Sequence, residues 1–211
     1  MMVTTRLVIM AKAPQPGLAK TRLMPALGAQ GAADLAQAML MQTVQTALDA
    51  CGEDIHAVTV CAAPDPHDAA WSRVSLPPSV TWWPQGEGDL GERMARAVKH
   101  ALSKHERVLL IGTDLVGLDA ALLQNAARAL HTHEVSLVPT FDGGYGLIGL
   151  RRWHNVFDHM PWSTSEVFAL TQQRLQQASP PVSHWVGPCL RDIDEPADLV
   201  HIQTGAPCVN G

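Results

Sequence analysis

Four groups of residues in this 211-residue chain could do chemistry. The first is a basic loop. The stretch VIMAKAPQPGLAKTRL, Val8 to Leu23, is an apolar run that stops at two prolines, a glycine and the cations Lys12, Lys20 and Arg22. A buried strand that delivers such a loop can meet an anion, because backbone N–H groups face phosphate oxygens while Lys and Arg supply charge. An ordinary solvated surface loop with stray basic residues explains the same letters. The second is Asp114, just past the apolar run Arg107 to Gly112, where an aspartate has no packing use. It suits a carboxylate ligand for Mg²⁺ or Mn²⁺, or simply a cap for the next turn. The third is Asp142-Gly143-Gly144-Tyr145, whose paired glycines permit positive φ and close backbone approach to a ligand, or a tight hairpin turn. The fourth is Asp192 and Asp194, a second metal position or caps for a following helix, with Pro196 favouring capping.

The elements that must position these groups follow from periodicity. Strands are expected at Arg6–Ala11, Ile55–Ala63, Val80–Trp83, Arg107–Gly112, Val135–Pro139 and Tyr145–Leu150, and Val182–Trp185 reads as extended. Leu35, Met39, Leu40, Val44, Ala47 and Leu48 form one apolar stripe, which predicts a helix over Gly28–Ala50. Asp89 with Glu92 three residues on is a capping box for a helix running to Lys104, and Asp119 caps a helix to Leu130. Ser163-Thr164-Ser165-Glu166 reads as a further capping box, for a helix to Ala178, and Glu195–Ile202 as a last short helix. Strands alternating with helices predict an α/β layered fold with a mainly parallel sheet, in which ligands bind at the carboxyl ends of the strands. One domain over residues 1–203 with a loose tail at 204–211 is expected.

Composition narrows the partners. With 46% hydrophobic and 17% charged residues, a core can form and global disorder is excluded. The net charge of -5 argues against nucleic acid as the main partner, and fits a local basic loop that takes a small anionic ligand. Four cysteines without CxxC spacing and ten dispersed histidines give no zinc framework, and the histidines read as surface residues. No signal peptide and no membrane span is expected, so a reducing cytoplasm is the default. Sequence leaves the oligomeric state open.

Taken together, MAKAPQPGLAKTRL, QGEGDLGERM, IGTDLVGLDAALL, FDGGYGLIGL, MPWSTSEVF and DIDEPADL resemble, in this order and from Leu7 to Leu199, a bacterial family of GT-A-like glycosyltransferases. That family lies within the nucleotide-diphospho-sugar transferase superfamily and is otherwise described as a domain of unknown function. Some members are associated with arsenosugar biosynthesis. Wider relatives include guanylyltransferases that carry out nucleotidyl transfer. The resemblance implies a three-layer Rossmann-like GT-A fold and a metal-dependent transfer of sugar from a nucleotide-diphospho-sugar to a small acceptor. The alternatives are a nucleotidylyltransferase that consumes a nucleoside triphosphate and releases pyrophosphate, and a non-catalytic nucleotide-binding homologue.

Carried over by position, Lys12, Lys20 and Arg22, with Pro14 and Gly17 of the same loop, would meet phosphates. Gln85, Gly86, Gly88 and Leu90 would lie beside the base or ribose. Asp114 would hold Mg²⁺ or Mn²⁺. Asp142 and Lys20 are the catalytic candidates, Asp142 as a base on an acceptor hydroxyl, with Gly143, Gly144 and Tyr145 lining the sugar or acceptor side. The chain departs from the family pattern at Leu115-Val116, where members commonly read Cys-Pro, and at Thr140-Phe141 before the glycine pair.

Overall fold

The computed structural model describes residues 4–104 and 107–202. The expected tail at 204–211 lies outside them. The sheet is built from β1 (Thr5–Lys12), β2 (Ala57–Ala63), β3 (Val80–Pro84), β4 (Arg107–Ile111), β6 (Val135–Pro139), β7 (Tyr145–Leu150) and β8 (His184–Val186); two short strands, β5 (Leu115–Val116) and β9 (Arg191–Asp192), pair apart from it. The order across the seven-stranded sheet is β3-β2-β1-β4-β7-β6-β8. β1 pairs in parallel with β2 and β4, β2 with β3, and β6 with β8; β7 runs against β4 and β6. The sheet is therefore mainly parallel, with one reversed strand.

Layering follows from strands buried on both faces, which parallel sheets require. Leu7, Ile9, Leu109 and Ile111 face helices α1 (Met24–Asp49) and α3 (Ala120–Ala129) through Leu40, Val44, Leu123 and Ala127. Val8, Val108, Leu110 and Ile148 face α2 (Leu90–Leu102) and α4 (Val167–Gln177) through Met94, Val98 and Leu175. Gly28, at φ 70 and ψ 168, breaks the first turn of α1, so the continuous helix runs from just after it, near the expected start. The capping box at Asp89 and Glu92 and the cap at Asp119 both form.

Three expectations fail. The Ser163–Glu166 capping box does not form: Glu166 occupies the N-cap position without a side-chain bond, and Ser163 has φ 65. The chain here is bent to bring Ser165 under Gly143, whose carbonyl accepts from the Phe168 N–H at 2.9 Å. Asp192 and Asp194 do not cap the last helical turn, Pro196–His201; Glu195 and Asp198 form that capping box themselves. The histidines are also not all at the surface. The His154 side chain is 15% exposed and lies 3.5 Å from the Glu134 carboxylate.

The sheet explains the site's location. From β1 the chain leaves to β2 on one side, while β4 pairs on the other, and such a switch opens a crevice at the carboxyl ends of these strands. β7 begins at this same edge, and the Gly112 N–H donates to the Gly146 carbonyl at 3.2 Å. The turn before β7 is tight. Gly143 has φ +88, and a Cβ there would fall 2.2 Å from the Ser165 carbonyl oxygen. Gly143→Ala is expected to destabilise the fold by about 2–4 kcal/mol, from backbone strain plus a clash with main chain that cannot swing aside. Denaturant unfolding measures this, and an unchanged midpoint would contradict the packing described.

Candidate functional site

A cleft of about 450 Å³ opens at this edge. Lys12, Lys20, Arg22, Gln85, Leu90, Asp114 and Tyr145 line it. Pro14, Gly17, Gly86, Gly88, Asp142, Gly143 and Gly144 are not part of its lining. Pro14 is buried beneath the basic loop and Gly17 is exposed at its turn.

The basic loop is a structured turn. The Ala13 N–H donates to the Ala63 carbonyl at 2.8 Å, the N–H groups of Leu18 and Ala19 donate to the Gln15 carbonyl, and the Gln15 side chain donates to the Ala70 carbonyl at 2.7 Å. The loop ends on Lys20, held in the left-handed region at φ 49 and ψ 42, a conformation that needs compensating contacts in a non-glycine residue. Leu23, fully buried, then anchors the chain against Ala32 and Ile193.

Lys20 supplies those contacts. Its Nζ donates to Asp114 Oδ2 at 3.0 Å, to Asp194 Oδ1 at 2.8 Å and to the Ile193 carbonyl at 2.6 Å. The Lys20 side chain is 11% exposed. Burial disfavours its charge, but the two carboxylates outweigh that, and the lysine pKa is raised above its ordinary value. Lys12 and Arg22 make no ion pair among the described residues and remain charge for a ligand.

Leu115-Val116, one of the departures from the family pattern, has a visible use. It pairs antiparallel with Arg191–Asp192, Leu115 opposite Asp192 and Val116 opposite Arg191, and the Ile193 N–H donates to the Asp114 carbonyl at 3.0 Å. This staple brings Asp194 beside Asp114. Phe141, the other departure, is half exposed, with the Arg191 guanidinium 4.9 Å over its ring.

The glycine loop after β3 is held from behind. The Arg96 guanidinium donates to the Gln85 and Glu87 carbonyls, and Arg93 donates to the Gly88 carbonyl at 2.8 Å. The buried Gln85 amide nitrogen donates to the Ala11 and Cys61 carbonyls, at 3.0 and 2.9 Å. Gln85 therefore clamps the ends of β1 and β2, and its amide oxygen is the polar atom left to offer. Asp142 is exposed; its Oδ1 accepts from the Thr140 hydroxyl at 2.6 Å and the Gly144 N–H at 2.9 Å, which closes its own turn. Tyr145 is enclosed between the cleft and Trp162, and burial raises its pKa.

Asp194, Thr113, Leu18 and Met94 also belong to the cleft. Asp194 has a signal in sequence, with Asp192, as an acidic site at a strand end that reads as a second metal position or a helix cap. Nothing in its spacing pointed to Lys20. Among the described residues no group of three or more His, Cys, Asp or Glu forms a metal cage. Mg²⁺, however, is commonly held by one or two carboxylates plus substrate phosphates. The Lys20 ammonium, seated between two carboxylates and a carbonyl, marks an all-oxygen cation position of that kind, so the residues present fit a divalent ion.

This three-layer sheet, with its cleft at the β1/β4 switch, defines the GT-A type of nucleotide-diphospho-sugar transferase fold. Residues 41–164 match the family described as "uncharacterized protein conserved in bacteria (DUF2064)", and the chain belongs to that family. Among solved structures, the chain is similar to a candidate nucleotide-diphospho-sugar transferase from Desulfovibrio desulfuricans G20, at 28% identity and TM-score 0.80, over 90% of this chain and 82% of that one. It shares its fold with a CMP:2-keto-3-deoxy-manno-octonic acid synthetase complexed with CTP, at 12% identity and TM-score 0.60, over 95% and 97% of the two chains. It likewise shares the fold of glucosyl-3-phosphoglycerate synthase from Mycobacterium tuberculosis, in complex with Mn²⁺, UDP and glucosyl-3-phosphoglycerate, at 10% identity and TM-score 0.56, over 94% and 75%. No curated protein matches the sequence. No helix among the described residues is long and apolar enough to cross a membrane.

One electrostatic consequence is measurable. The half-buried Asp192 has its carboxyl pushed up to about 6 from the usual 3.8, first by burial and then by the negative charges of Asp142, Asp194 and Asp114. The native state holds this proton more tightly than the unfolded chain. The stability due to Asp192 is therefore complete below 3.8 and lost as pH rises through about 6. Asp192→Asn is expected to raise Tm relative to wild type at about pH 7.5, with the gap closing below about pH 4. A gap of equal size at both pH values would contradict the assignment.

Proposed function

We propose that the chain is a metal-dependent transferase that moves a sugar from a nucleotide-diphospho-sugar to a small acceptor. The observation that carries this is the cation position between Asp114 and Asp194, in a cleft also lined by Lys12 and Arg22, which make no ion pair among the described residues. The 28%-identical candidate sugar transferase supports the same class.

Asp114 and Asp194 would hold Mg²⁺ or Mn²⁺, with nucleotide phosphates completing its shell. The ion would supply positive charge where the leaving diphosphate gains negative charge. Lys12 and Arg22 face that same diphosphate and offset the charge it acquires as the sugar–oxygen bond breaks. The half-exposed Leu18 and Leu90 line the cleft and give a base apolar surface, with the Gln85 oxygen as a hydrogen-bond acceptor. Asp142 takes the proton of the acceptor hydroxyl through its Oδ2, its Oδ1 being engaged by the turn. Gly143, Gly144 and Tyr145 shape the acceptor side, and Gly86 and Gly88 let the loop approach the base.

Nucleotidyl transfer on the same fold would release pyrophosphate from a nucleoside triphosphate, and a pyrophosphate assay separates the two. Calorimetry with UDP- and GDP-sugars in Mn²⁺ tests the proposal. Binding is expected, and Arg22→Gln should weaken it about tenfold through loss of a charge-assisted contact. Failure of every nucleotide in a broad panel to bind in the presence of metal would end it.

A further inference from the structure

We infer that Lys20 is an exchangeable cation. Its ammonium keeps the place between Asp114 and Asp194, and it must leave that place for a divalent ion to enter, moving onto the phosphates of the arriving nucleotide. This rests on the nucleotide-diphosphate function proposed above, and goes beyond it by coupling metal entry to nucleotide entry.

An ammonium group has three N–H donors and no acceptor. All three of Lys20's donors are engaged, by Asp114 at 3.0 Å, Asp194 at 2.8 Å and the Ile193 carbonyl at 2.6 Å. While seated, Lys20 has no donor left for a phosphate. It also fills the space between the two carboxylates, where a second cation at contact distance would be repelled. Lysine and metal are therefore alternatives for one position. The donor set is all oxygen, the type that hard divalent cations prefer.

A nucleotide can begin to bind without disturbing this arrangement, because Lys12 and Arg22 line the cleft without ion pairs among the described residues. Once docked, its phosphates offer the ammonium new acceptors at the moment the metal claims the carboxylates. Metal without nucleotide must instead evict Lys20 with nothing to receive it. Linkage then makes each ligand raise the other's affinity by the same factor. A permanent structural salt bridge, latching the basic loop to the Asp192–Asp194 segment, would leave metal affinity indifferent to Lys20.

Titrating Mn²⁺ into the full chain, with free Mn²⁺ followed by its paramagnetic resonance signal, separates these roles without any turnover. Lys20→Gln removes the charge but keeps an N–H for the Ile193 carbonyl, so it serves if Lys20→Met does not fold. Both should bind Mn²⁺ alone at least about tenfold tighter than wild type. Arg22→Gln removes the same charge from the cleft without touching either aspartate, and should change Mn²⁺ affinity by less than about threefold. UDP or GDP should tighten Mn²⁺ binding to wild type far more than to Lys20→Gln. Equal Mn²⁺ affinity in wild type and Lys20→Gln, with nucleotide binding intact, would overturn the exchange alone; so would equal tightening by Arg22→Gln. Failure of UDP, GDP, CDP and ADP to bind wild type with Mn²⁺ would overturn the function on which the exchange rests.

Discussion

The Lys20 ammonium joins three parts of the chain that are remote in sequence. It reaches Asp114, 94 positions away, and Asp194, 174 positions away. This contact ties the basic loop to the two carboxylates, while the segment after β9 is held against the end of β4 independently, by the β5–β9 pair and the Ile193 N–H bond to the Asp114 carbonyl. Lys20 is the buried member of the group, and its charge is tolerable there because it is paired and hydrogen-bonded; the carboxylates keep part of their contact with water. The site's geometry is thus constrained by electrostatics at its centre and by hydrophobic packing at its edges, where Leu23 and Ile193 lie fully buried.

The packing around this contact explains why the departures from the family pattern are compatible with an intact site. Leu115-Val116 forms strand pairs with Arg191–Asp192, and Leu115 lies over Gly146, where a Cβ would fall 2.2 Å from the leucine side chain. The strand pair sets Asp194 on the same side of the edge as Asp114, where both meet Lys20. Phe141 stacks under Arg191 and stands outside the cleft lining.

Much of the fold was legible in sequence because burial on both faces writes a continuous apolar run. RVLLI and VSLVP mark β4 and β6 almost to the residue. Asp89 and Asp119 announced their helices because a cap bonds locally, three residues along. The failures arose where tertiary contact overrode local pattern. Ser163–Glu166 has the letters of a capping box, but the chain there bends to pack Ser165 against Gly143. Asp192 and Asp194 look like caps, but Asp194 is drawn to Lys20 by a pairing between strands of two residues each, too short to leave a periodic signal. The cleft's basic side could be read from Lys12, Lys20 and Arg22. That Lys20 faces carboxylates, while the other two make no ion pair among the described residues, is a property of the folded edge and not of spacing.

The same fold occurs at low identity in a synthetase complexed with CTP and in a synthase complexed with Mn²⁺ and UDP. The fold supplies the crevice, and the side chains at its rim decide its chemistry. On the proposed function, a metal-bound nucleotide diphosphate would sit between the Asp114–Asp194 pair and the Lys12–Arg22 side. Anomalous diffraction from crystals grown with Mn²⁺ and a nucleoside diphosphate tests this most directly. The expected result is a manganese peak between the Asp114 and Asp194 carboxylates, with the diphosphate beside Lys12 and Arg22. Nucleotide bound elsewhere on the surface, or bound in the cleft with no manganese at the aspartate pair, would contradict it.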